Sequence, residues 1–502
     1  MVLKNKEVMP MRVRFGPSPT GITHLGSART ALYNYLLARK TGGQFLLRFE
    51  DTDQKRFDPE AENDLISTLK WLGLNWDEGP DIGGDFGPYR QSERKELYLQ
   101  VAEELIEKGK AFYCFCSKEE LEIIKQSLEG QREQSRYPGT CRELSHEDAK
   151  KRVEAGEEHV VRFKMPKEGY TIVRDRIRGE IKFENALLDD YILIKSDGMA
   201  VYHLATMVDD HEMKITHVLR GEEWIPTFPL HVQIYRAMGW EEPEWVHLSL
   251  FLKPSGKGKM SKRDTEAMRG SGSIFIRDMK KMGYLPEAVI NWVALMGWSY
   301  DDHTEFFTLD DLIDKFSIEK INPKNAAIDF KKLDHFNGLH IRNLSIVDLA
   351  ERIKPFLLEA GYSVDDQTMV KIAALLQPRV TTLDEVTDWV KFIFVEPVVP
   401  RLDDLVVKGL DFDQALKVAE ELYILLENAS EFTHEELEQP IRDFAESLSL
   451  KLGQVFGVLR IAITAQPVSP PLIESMDLLG RKKTLSRLKY AIELLKESQS
   501  LE

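Results

Sequence analysis

The sequence of 502 residues has little cysteine: it contains three, and two of them, Cys114 and Cys116, are separated by one residue. Three thiols are too few for a disulfide-stabilised scaffold and suit a reducing compartment, so we expect a cytoplasmic protein. The chain also lacks an uncharged apolar run of membrane-spanning length. Its first ten residues mix polar and apolar side chains without a cleavage-site pattern, so we expect no signal peptide.

The chain is also short of positive charge. It has 67 Lys and Arg residues against 83 Asp and Glu, a formal net charge of −16. This is the wrong sign for a generic binder of polyanions, and we expect no DNA partner. If an RNA is bound, local basic patches on an acidic body must recognise it, and long-range repulsion makes such binding selective.

What the chain does contain is a Gly/Pro-rich turn between a strand pattern and a helix pattern. Residues 11–15 alternate as a strand, residues 16–26 form the turn, and residues 27–40 carry apolar side chains at helical spacing. A second strand pattern follows at 44–49. This order predicts a βαβ unit and a parallel sheet.

The turn contains the elements of a phosphate site. A helix N-terminus presents unpaired backbone N–H groups and a partial positive charge to an anion. Gly26 would let a nucleotide approach the backbone, and His24 can donate a hydrogen bond to phosphate oxygens. An ordinary tight turn with a surface histidine is the alternative.

A second stretch, Lys257–Arg263, is rich in cations. It combines glycine, serine and several Lys and Arg side chains, which suits a loop that neutralises the growing charge of a departing pyrophosphate. A solvated basic loop is the alternative.

Together these two stretches carry a family resemblance. His-Leu-Gly-Ser at 24–27 and Lys-Met-Ser-Lys-Arg at 259–263 resemble the two signature motifs of class I aminoacyl-tRNA synthetases. The segments at 16–21, 48–53, 87–92 and 220–224 resemble those of bacterial glutamyl-tRNA synthetases. One departure is Ser27, which stands where many class I enzymes have a second histidine. The resemblance is dense to about residue 340 and thinner beyond it.

The resemblance implies an enzyme that activates L-glutamate with ATP and transfers it to the 3′ end of tRNA-Glu, with Mg²⁺ arriving on the ATP. Its implied catalytic residues are His24, Lys259 and Lys262. The implied ATP-binding residues are Gly16, His24, Gly26, Ser27, Lys259, Ser261, Lys262 and Arg263.

Recognition of a dicarboxylic amino acid requires positive charge at both of its ends, and guanidinium groups supply it with direction. Arg14 and Arg220 stand at predicted strand ends. The resemblance assigns Arg220 to the α-carboxylate, and Arg14 with Ser18 and Tyr202 to the γ-carboxylate. It places Glu50 near the substrate amino group or ATP. We expect His203 to be a hydrogen-bonded core histidine.

Soft ligands cluster between residues 111 and 141. Cys114, Cys116 and Cys141 with Tyr137 match a Cys-x-Cys…Tyr-x-x-x-Cys pattern that the family and its relatives use for structural Zn²⁺. Three buried thiols that act as small apolar residues are the alternative. We do not expect Asp209-Asp210-His211 to bind a metal, because consecutive residues on a strand point to opposite faces.

The fold class that follows is α/β: a Rossmann-like, doubly wound parallel-sheet catalytic domain with an α+β insertion, and then an all-α anticodon-binding region. We expect the catalytic domain at 1–110 and 201–270, an acceptor-end-binding insertion at 111–200, a stem-contact region at 271–340 and the anticodon-binding region at 341–502. Basic side chains alternating with apolar ones over 160–181 predict one basic face for RNA, and an ordinary half-exposed sheet is the alternative.

In the helical end, Arg379 and Gln454 match family stretches near the anticodon, and an arginine matching Arg379 is associated with rejecting tRNA-Gln. We therefore expect a monomeric, discriminating enzyme. The alternatives are an enzyme that also charges tRNA-Gln, a tRNA-independent nucleotidylyltransferase and an RNA-binding paralogue.

Overall fold

The computed structural model describes residues 10–127, 137–258, 260 and 272–499, which divide into two compact units. The first unit contains the described residues up to Lys280 together with Pro286–Leu333. The second contains Lys281–Leu285 together with the residues from Asp334 onward. Each unit has a buried apolar core of its own.

The first unit begins with the predicted βαβ unit. Strand β1 (Arg12–Phe15) pairs in parallel with β2 (Gln44–Leu47), and helix α1 (Leu25–Thr41) connects them. The helix ends because Gly42 adopts φ 63°, a left-handed conformation that glycine tolerates best. The α/β prediction for this part of the chain is confirmed.

A second parallel pair follows much later in the sequence. Strand β8 (His217–Gly221) pairs with β9 (Glu244–Leu248). The backbone N–H of Thr216, just before β8, donates to the carbonyl of Arg12 at 2.9 Å. The two parallel pairs therefore meet along β1, and both contribute to one α/β region.

The chain between these pairs forms an α+β insertion, as predicted. Three antiparallel strands have the order β3–β4–β7, and β5 pairs with β6 as a hairpin. The bounds are β3 Ala111–Cys114, β4 Val160–Phe163, β5 Tyr170–Asp175, β6 Gly179–Glu184 and β7 Ile192–Ile194.

The prediction of one basic face on the insertion strands is wrong. Arg162 is buried and donates to the carbonyl of Asp190. Arg178 bonds to Glu222, and the outward side chain of Arg174 lies near Glu180. The arginines are either buried or matched by carboxylates, so the alternation of the sequence does not produce a basic surface.

The strand prediction for Asp209-Asp210-His211 is also wrong, because these residues lie in helix α6 (Tyr202–Glu212). Asp209 and Asp210 are fully buried and form ion pairs with arginines. Burial of apolar residues on most sides of this helix hides the period that would have identified it.

The other elements of the first unit are mainly helices. They are α2 Pro59–Trp71, α3 Lys95–Glu107, α4 Lys118–Ser127, α5 His146–Glu154, α7 Phe228–Met238, α8 Ile276–Lys281, α9 Pro286–Leu295 and α10 Leu309–Lys315, with the short parallel strands β10 Phe251–Leu252 and β11 Ala326–Ala327.

The second unit is all-α in its described residues, as predicted. Most of α11 (Phe330–Asn343) belongs to it, from Asp334 onward. Its other helices are α12 Ile346–Glu359, α13 Asp366–Leu376, α14 Val386–Phe394, α15 Leu402–Leu405, α16 Phe412–Asn428, α17 His434–Ser447, α18 Leu452–Thr464, α19 Leu472–Leu479 and α20 Arg481–Gln499. No single helix in the described part of the chain is long and apolar enough to span a membrane; α17 and α18, bent by 116°, pass that test only as a pair.

Candidate active site

A cavity of about 720 Å³ opens in the first unit where β1 and β8 end and α1 begins. Met260, from the predicted cationic loop, also lines it. Lys259, Ser261, Lys262 and Arg263 lie outside the described residues. The predicted site residues that the cavity brings together are Arg14, Gly16, Ser18, His24, Gly26, Ser27, Glu50, Tyr202 and Arg220.

His24 caps the N-terminus of α1. Its Nδ1 accepts hydrogen bonds from the backbone N–H groups of Gly26 at 3.1 Å and Ser27 at 3.4 Å, and the N–H of Leu25 donates to the carbonyl of Ile274. The prediction of unpaired N–H groups at this helix end is therefore wrong for these residues. Because Nδ1 is an acceptor, the proton of the neutral imidazole is on Nε2, which can donate to a phosphate.

Two glycines of the turn make room for side chains of the protein itself. A Cβ at Gly16 would overlap the Glu50 carboxylate, and a Cβ at Gly26 would lie 3.1 Å from Cε1 of His24. From the sequence we expected Gly26 to let a nucleotide approach the backbone. The structure gives an additional reason: the glycines allow Glu50 and His24 to take their positions at the cavity.

A buried ion network lies behind the cavity. Arg14 donates to Asp210 through Nε at 2.9 Å and Nη2 at 3.1 Å. Arg48 donates to Asp210 and to Glu50, both at 2.8 Å. Burial raises the pKa of Glu50 despite the two arginines, whereas for Asp210 the arginines outweigh burial and lower the pKa. Sequence reasoning did not identify Arg48 and Asp210 as parts of the site.

Aromatic side chains form one wall of the cavity. Tyr202 stacks on Trp224 with ring centroids 3.9 Å apart and an interplanar angle of 19°. Burial, with Glu50 nearby, raises the pKa of Tyr202 to about 12, so it stays a neutral hydrogen-bonding group. Trp224 was part of a recognised motif, but its stacking on Tyr202 was not predicted.

Arg220 is buried between two histidines. Its Nε donates to Nε2 of His247 at 3.0 Å, and its Nη2 lies 2.8 Å from Nδ1 of His231. Among the described residues, its buried Nη1 has no hydrogen-bond partner. Arg220 as a residue lines the cavity together with Tyr202.

His203 extends this chain of side chains. Its Nδ1 lies 2.9 Å from Nε2 of His231, and burial, with the Arg220 charge, lowers the pKa of His203 to about 4. His203 is hydrogen-bonded, as expected, although it is only partly buried. His231 and His247 were not predicted, since no local motif marks them.

The three cysteines gather in the insertion. Their sulfur atoms lie within 4.8 Å of one another, and Cys116 and Cys141 are 3.6 Å apart. The hydroxyl of Tyr137 is 3.8 Å from Sγ of Cys116 and accepts from the backbone N–H of Cys141. Burial raises the pKa of Cys116 to about 11. The donor set fits a tetrahedral ion, since sulfurs bound at about 2.3 Å stand about 3.8 Å apart.

The two anticodon candidates differ in their surroundings. Arg379 has an exposed side chain in the turn after α13 and lines a shallow groove with Lys371 and Asp477. Gln454 accepts from the backbone N–H of Lys451 at 2.9 Å and so caps α18. The structure therefore gives Gln454 a structural role, and base reading by either residue stays a prediction.

Comparison with known proteins gives two family matches. Residues 10–335 match the catalytic domain of class I tRNA synthetases (E and Q), and residues 348–492 match an anticodon binding domain. Among curated relatives, a glutamate–tRNA ligase of Dehalococcoides mccartyi is 43% identical over 98% of this chain and 99% of its own length. One from Borreliella burgdorferi is 43% identical over 97% and 99%.

A solved structure is similar over nearly the whole chain. It is a glutamate tRNA ligase from Elizabethkingia meningosepticum in complex with its amino acid. The TM-score is 0.88 at 37% identity, covering 97% of this chain and 100% of that one.

Proposed function

The chain belongs to the class I tRNA synthetases of the glutamate and glutamine branch, and from this premise we propose that it is a glutamate–tRNA ligase. It activates L-glutamate with ATP to glutamyl-adenylate and pyrophosphate and then transfers the glutamyl group to the 3′-terminal ribose of tRNA-Glu. The observation that carries this proposal is the single cavity lined by both Arg14 and Arg220 beside the His24 turn.

The two arginines receive the two carboxylates of glutamate. Arg220 takes the α-carboxylate, and Arg14, with Ser18 and Tyr202, takes the γ-carboxylate; all four residues line the cavity. Both guanidiniums are fixed by neighbours within the protein, so little side-chain freedom is lost on binding. Glu50, held against Gly16, lies where it can accept from the substrate ammonium group.

The reaction needs no protein nucleophile. The α-carboxylate of glutamate attacks the α-phosphorus of ATP, and the protein contributes alignment and positive charge. His24 donates from Nε2 to a phosphate oxygen, with Gly16, Gly26 and Ser27 forming the surface beside it. Lys259 and Lys262, aided by Ser261 and Arg263, neutralise the charge that grows on pyrophosphate. Mg²⁺ carried by ATP supplies further positive charge at the phosphates.

The insertion binds a structural Zn²⁺. Cys114, Cys116, Cys141 and the phenol of Tyr137 hold it, and the ion fixes the loop after β3 to the segment around Cys141. The metal's role is to stabilise this part of the fold, and it takes no part in the chemistry at the cavity.

The tRNA is read at both ends. The insertion at 111–200 holds the acceptor end, the region 271–340 contacts the stem, and the helical region at 341–502 reads the anticodon, with Arg379 selecting against tRNA-Gln. The exposure of Arg379 supports this role, because unpaired bases are read by donors that reach out from the surface.

Charging purified tRNA-Glu and tRNA-Gln transcripts with labelled glutamate tests the proposal. We expect charging of tRNA-Glu alone by a protein that elutes as a monomer. ATP–pyrophosphate exchange without charging of either tRNA would contradict the proposal and favour a nucleotidylyltransferase. Charging of both would contradict discrimination only.

Two variants test the role of Arg379. Arg379→Gln should raise charging of tRNA-Gln relative to tRNA-Glu by about tenfold, the value of one lost base contact. Arg401→Gln, which changes an exposed arginine of the same unit, should leave that ratio unchanged.

A further inference from the structure

Asp175 ends strand β5 of the insertion and is buried. Its Oδ1 accepts from the backbone N–H groups of Ile177 at 3.0 Å and Arg178 at 2.9 Å, which shapes the turn of the hairpin. Its Oδ2 accepts from the backbone N–H of His247 at 2.9 Å and from Nδ1 of the same residue at 2.7 Å. Asp175 therefore ties the inserted hairpin to the end of β9.

This contact fixes the tautomer of His247. Because Nδ1 donates its proton to the carboxylate, Nε2 of the neutral ring is left as an acceptor. That nitrogen faces Nε of Arg220 at 3.0 Å, and the ring is fully buried. A proton on Nε2 would place two donors against each other.

We propose that Asp175 is a positioning residue of the amino-acid site: through the tautomer of His247 it holds the Arg220 guanidinium in the orientation that receives the α-carboxylate. The inference rests on the role given to Arg220 in the proposed function. His247 and His231 occupy Nε and Nη2 of Arg220, and the remaining buried Nη1 has no partner among the described residues. The histidines thus fix the orientation of a guanidinium whose residue lines the cavity.

Asp175→Asn keeps the shape of the side chain and changes its hydrogen bonding to His247. The Asn carbonyl can keep the turn bonds of Ile177 and Arg178, while its NH₂ donates to Nδ1 of His247 and moves the ring proton to Nε2. The same NH₂ also replaces the acceptor of the His247 backbone N–H, a bond that substitutions of the His247 side chain leave in place. We expect the KM for glutamate in tRNA-Glu charging to rise by about tenfold to a hundredfold, because a hydrogen bond to a charged group is replaced by opposed donors. The KM for ATP should stay within about twofold of the wild-type value, since Arg220 has no role in the binding of ATP in the proposed function.

Two further variants act on the same link. His247→Gln can still offer an acceptor to Arg220, and we expect a rise of at most about threefold in the KM for glutamate, within the range of one neutral hydrogen bond. His247→Leu removes the acceptor and should resemble Asp175→Asn. Glu180→Gln, on the same hairpin but exposed, is the matched control and should leave the KM for glutamate unchanged.

A spectroscopic readout is independent of turnover. In protein labelled with ¹⁵N-histidine, the ring resonances of His247 are identified as those that disappear in His247→Gln. In the wild type they should show a ring protonated on Nδ1. In Asp175→Asn they should show a ring protonated on Nε2. Wild-type protein that charges tRNA-Glu while Asp175→Asn keeps its KM and tautomer would overturn the inference alone. Wild-type protein that charges no tRNA would overturn the proposed function. If Asp175→Asn does not fold, equal KM values for His247→Gln and His247→Leu would overturn the inference.

Discussion

Arg48 is the residue that links the buried carboxylates behind the cavity. Its guanidinium lies 2.8 Å from Glu50 and from Asp210 and 3.7 Å from Asp209, and its side chain is fully buried. The three carboxylates share this cation. Asp210 also pairs with Arg14 and Asp209 with Arg94, whereas Arg48 is the ion-pair partner of Glu50 among the described residues. The network fixes Glu50 at the cavity and Arg14 on its partner Asp210.

Arg48→Met should therefore destabilise the first unit by about 3–5 kcal/mol, because it leaves the buried Glu50 carboxylate without its ion-pair partner and removes one of the two cations that contact Asp210. Thermal unfolding followed by circular dichroism measures this. The control is Arg39→Met, which breaks a 2.8 Å pair with Asp77 whose side chains are 25% and 33% exposed. That change should cost about 1 kcal/mol or less. Equal shifts of the melting temperature in the two variants would contradict the stabilising role given to Arg48 in the buried network.

The proposed catalytic role of Lys259 can also be tested by a single substitution, although this residue lies outside the described residues. Lys259→Ala should lower kcat for charging by about a hundredfold or more, the size of the loss when a charge-stabilising donor is removed, with little change in the KM for glutamate. Lys280→Ala removes an exposed lysine outside that loop and serves as the control. A Lys259→Ala enzyme with wild-type turnover would remove Lys259 from the catalytic group.

Residues in motifs were predictable from the sequence, and their partners were not. The cavity brings together Arg14, Glu50 and Arg220 as expected. Asp175 and His247 are 72 positions apart, and neither lies in a recognised motif. Such contacts are created by tertiary packing, so the spacing of residues within one segment of the sequence does not predict them.

At the scale of elements, sequence periodicity performs well where one side of an element is exposed. Helix α2 (Pro59–Trp71) has such a side: its buried Ala61, Leu65 and Leu69 recur at helical spacing, and Asp58 caps the backbone N–H of Glu60. Helix α6 was missed because Leu204–Asp210 are all buried, which removes the polar stripe that reveals a helix. The N-terminus of α1 differed because a side chain, His24, occupies it.

The insertion allows a prediction about metal removal. If Zn²⁺ joins the segments at Cys114 and Cys141, a strong chelator should lower the melting temperature, because binding energy of the metal is folding energy. Elemental analysis should find one zinc per chain in the native protein and little in Cys116→Ser. Ser117→Ala, beside the cluster, should retain the metal. A protein purified without zinc, whose melting is indifferent to chelator, would contradict the site.

At the scale of the whole molecule, the distribution of charge limits how an RNA can be recognised. The net charge of −16 and the mixed charges of the insertion strands leave no broad basic field on the described strands. Recognition of a tRNA must then rely on matched local contacts. The five-segment domain division made from the sequence stays a prediction, and the contacts divide the described chain into two units.

This charge distribution predicts weak competition by other polyanions. At about 0.15 M salt, an excess of duplex DNA should change the initial rate of tRNA-Glu charging by less than about twofold. Unlabelled tRNA-Glu is the positive control and should compete fully. Strong inhibition by DNA under the same conditions would show that an extended cationic surface has been overlooked.

The late arrival of β8 has a consequence for biosynthesis. The backbone N–H of Thr216 donates to the carbonyl of Arg12, on the edge of β1 opposite to β2. This edge cannot pair with β8 until His217 and the residues around it have been synthesised. A nascent chain carrying only β1 and β2 thus offers an open strand edge during the translation of the whole insertion, the kind of edge that chaperones shield. Stalled nascent chains ending before β8 should be cleaved far faster by added protease than those ending well after β9; equal cleavage would contradict this order of assembly.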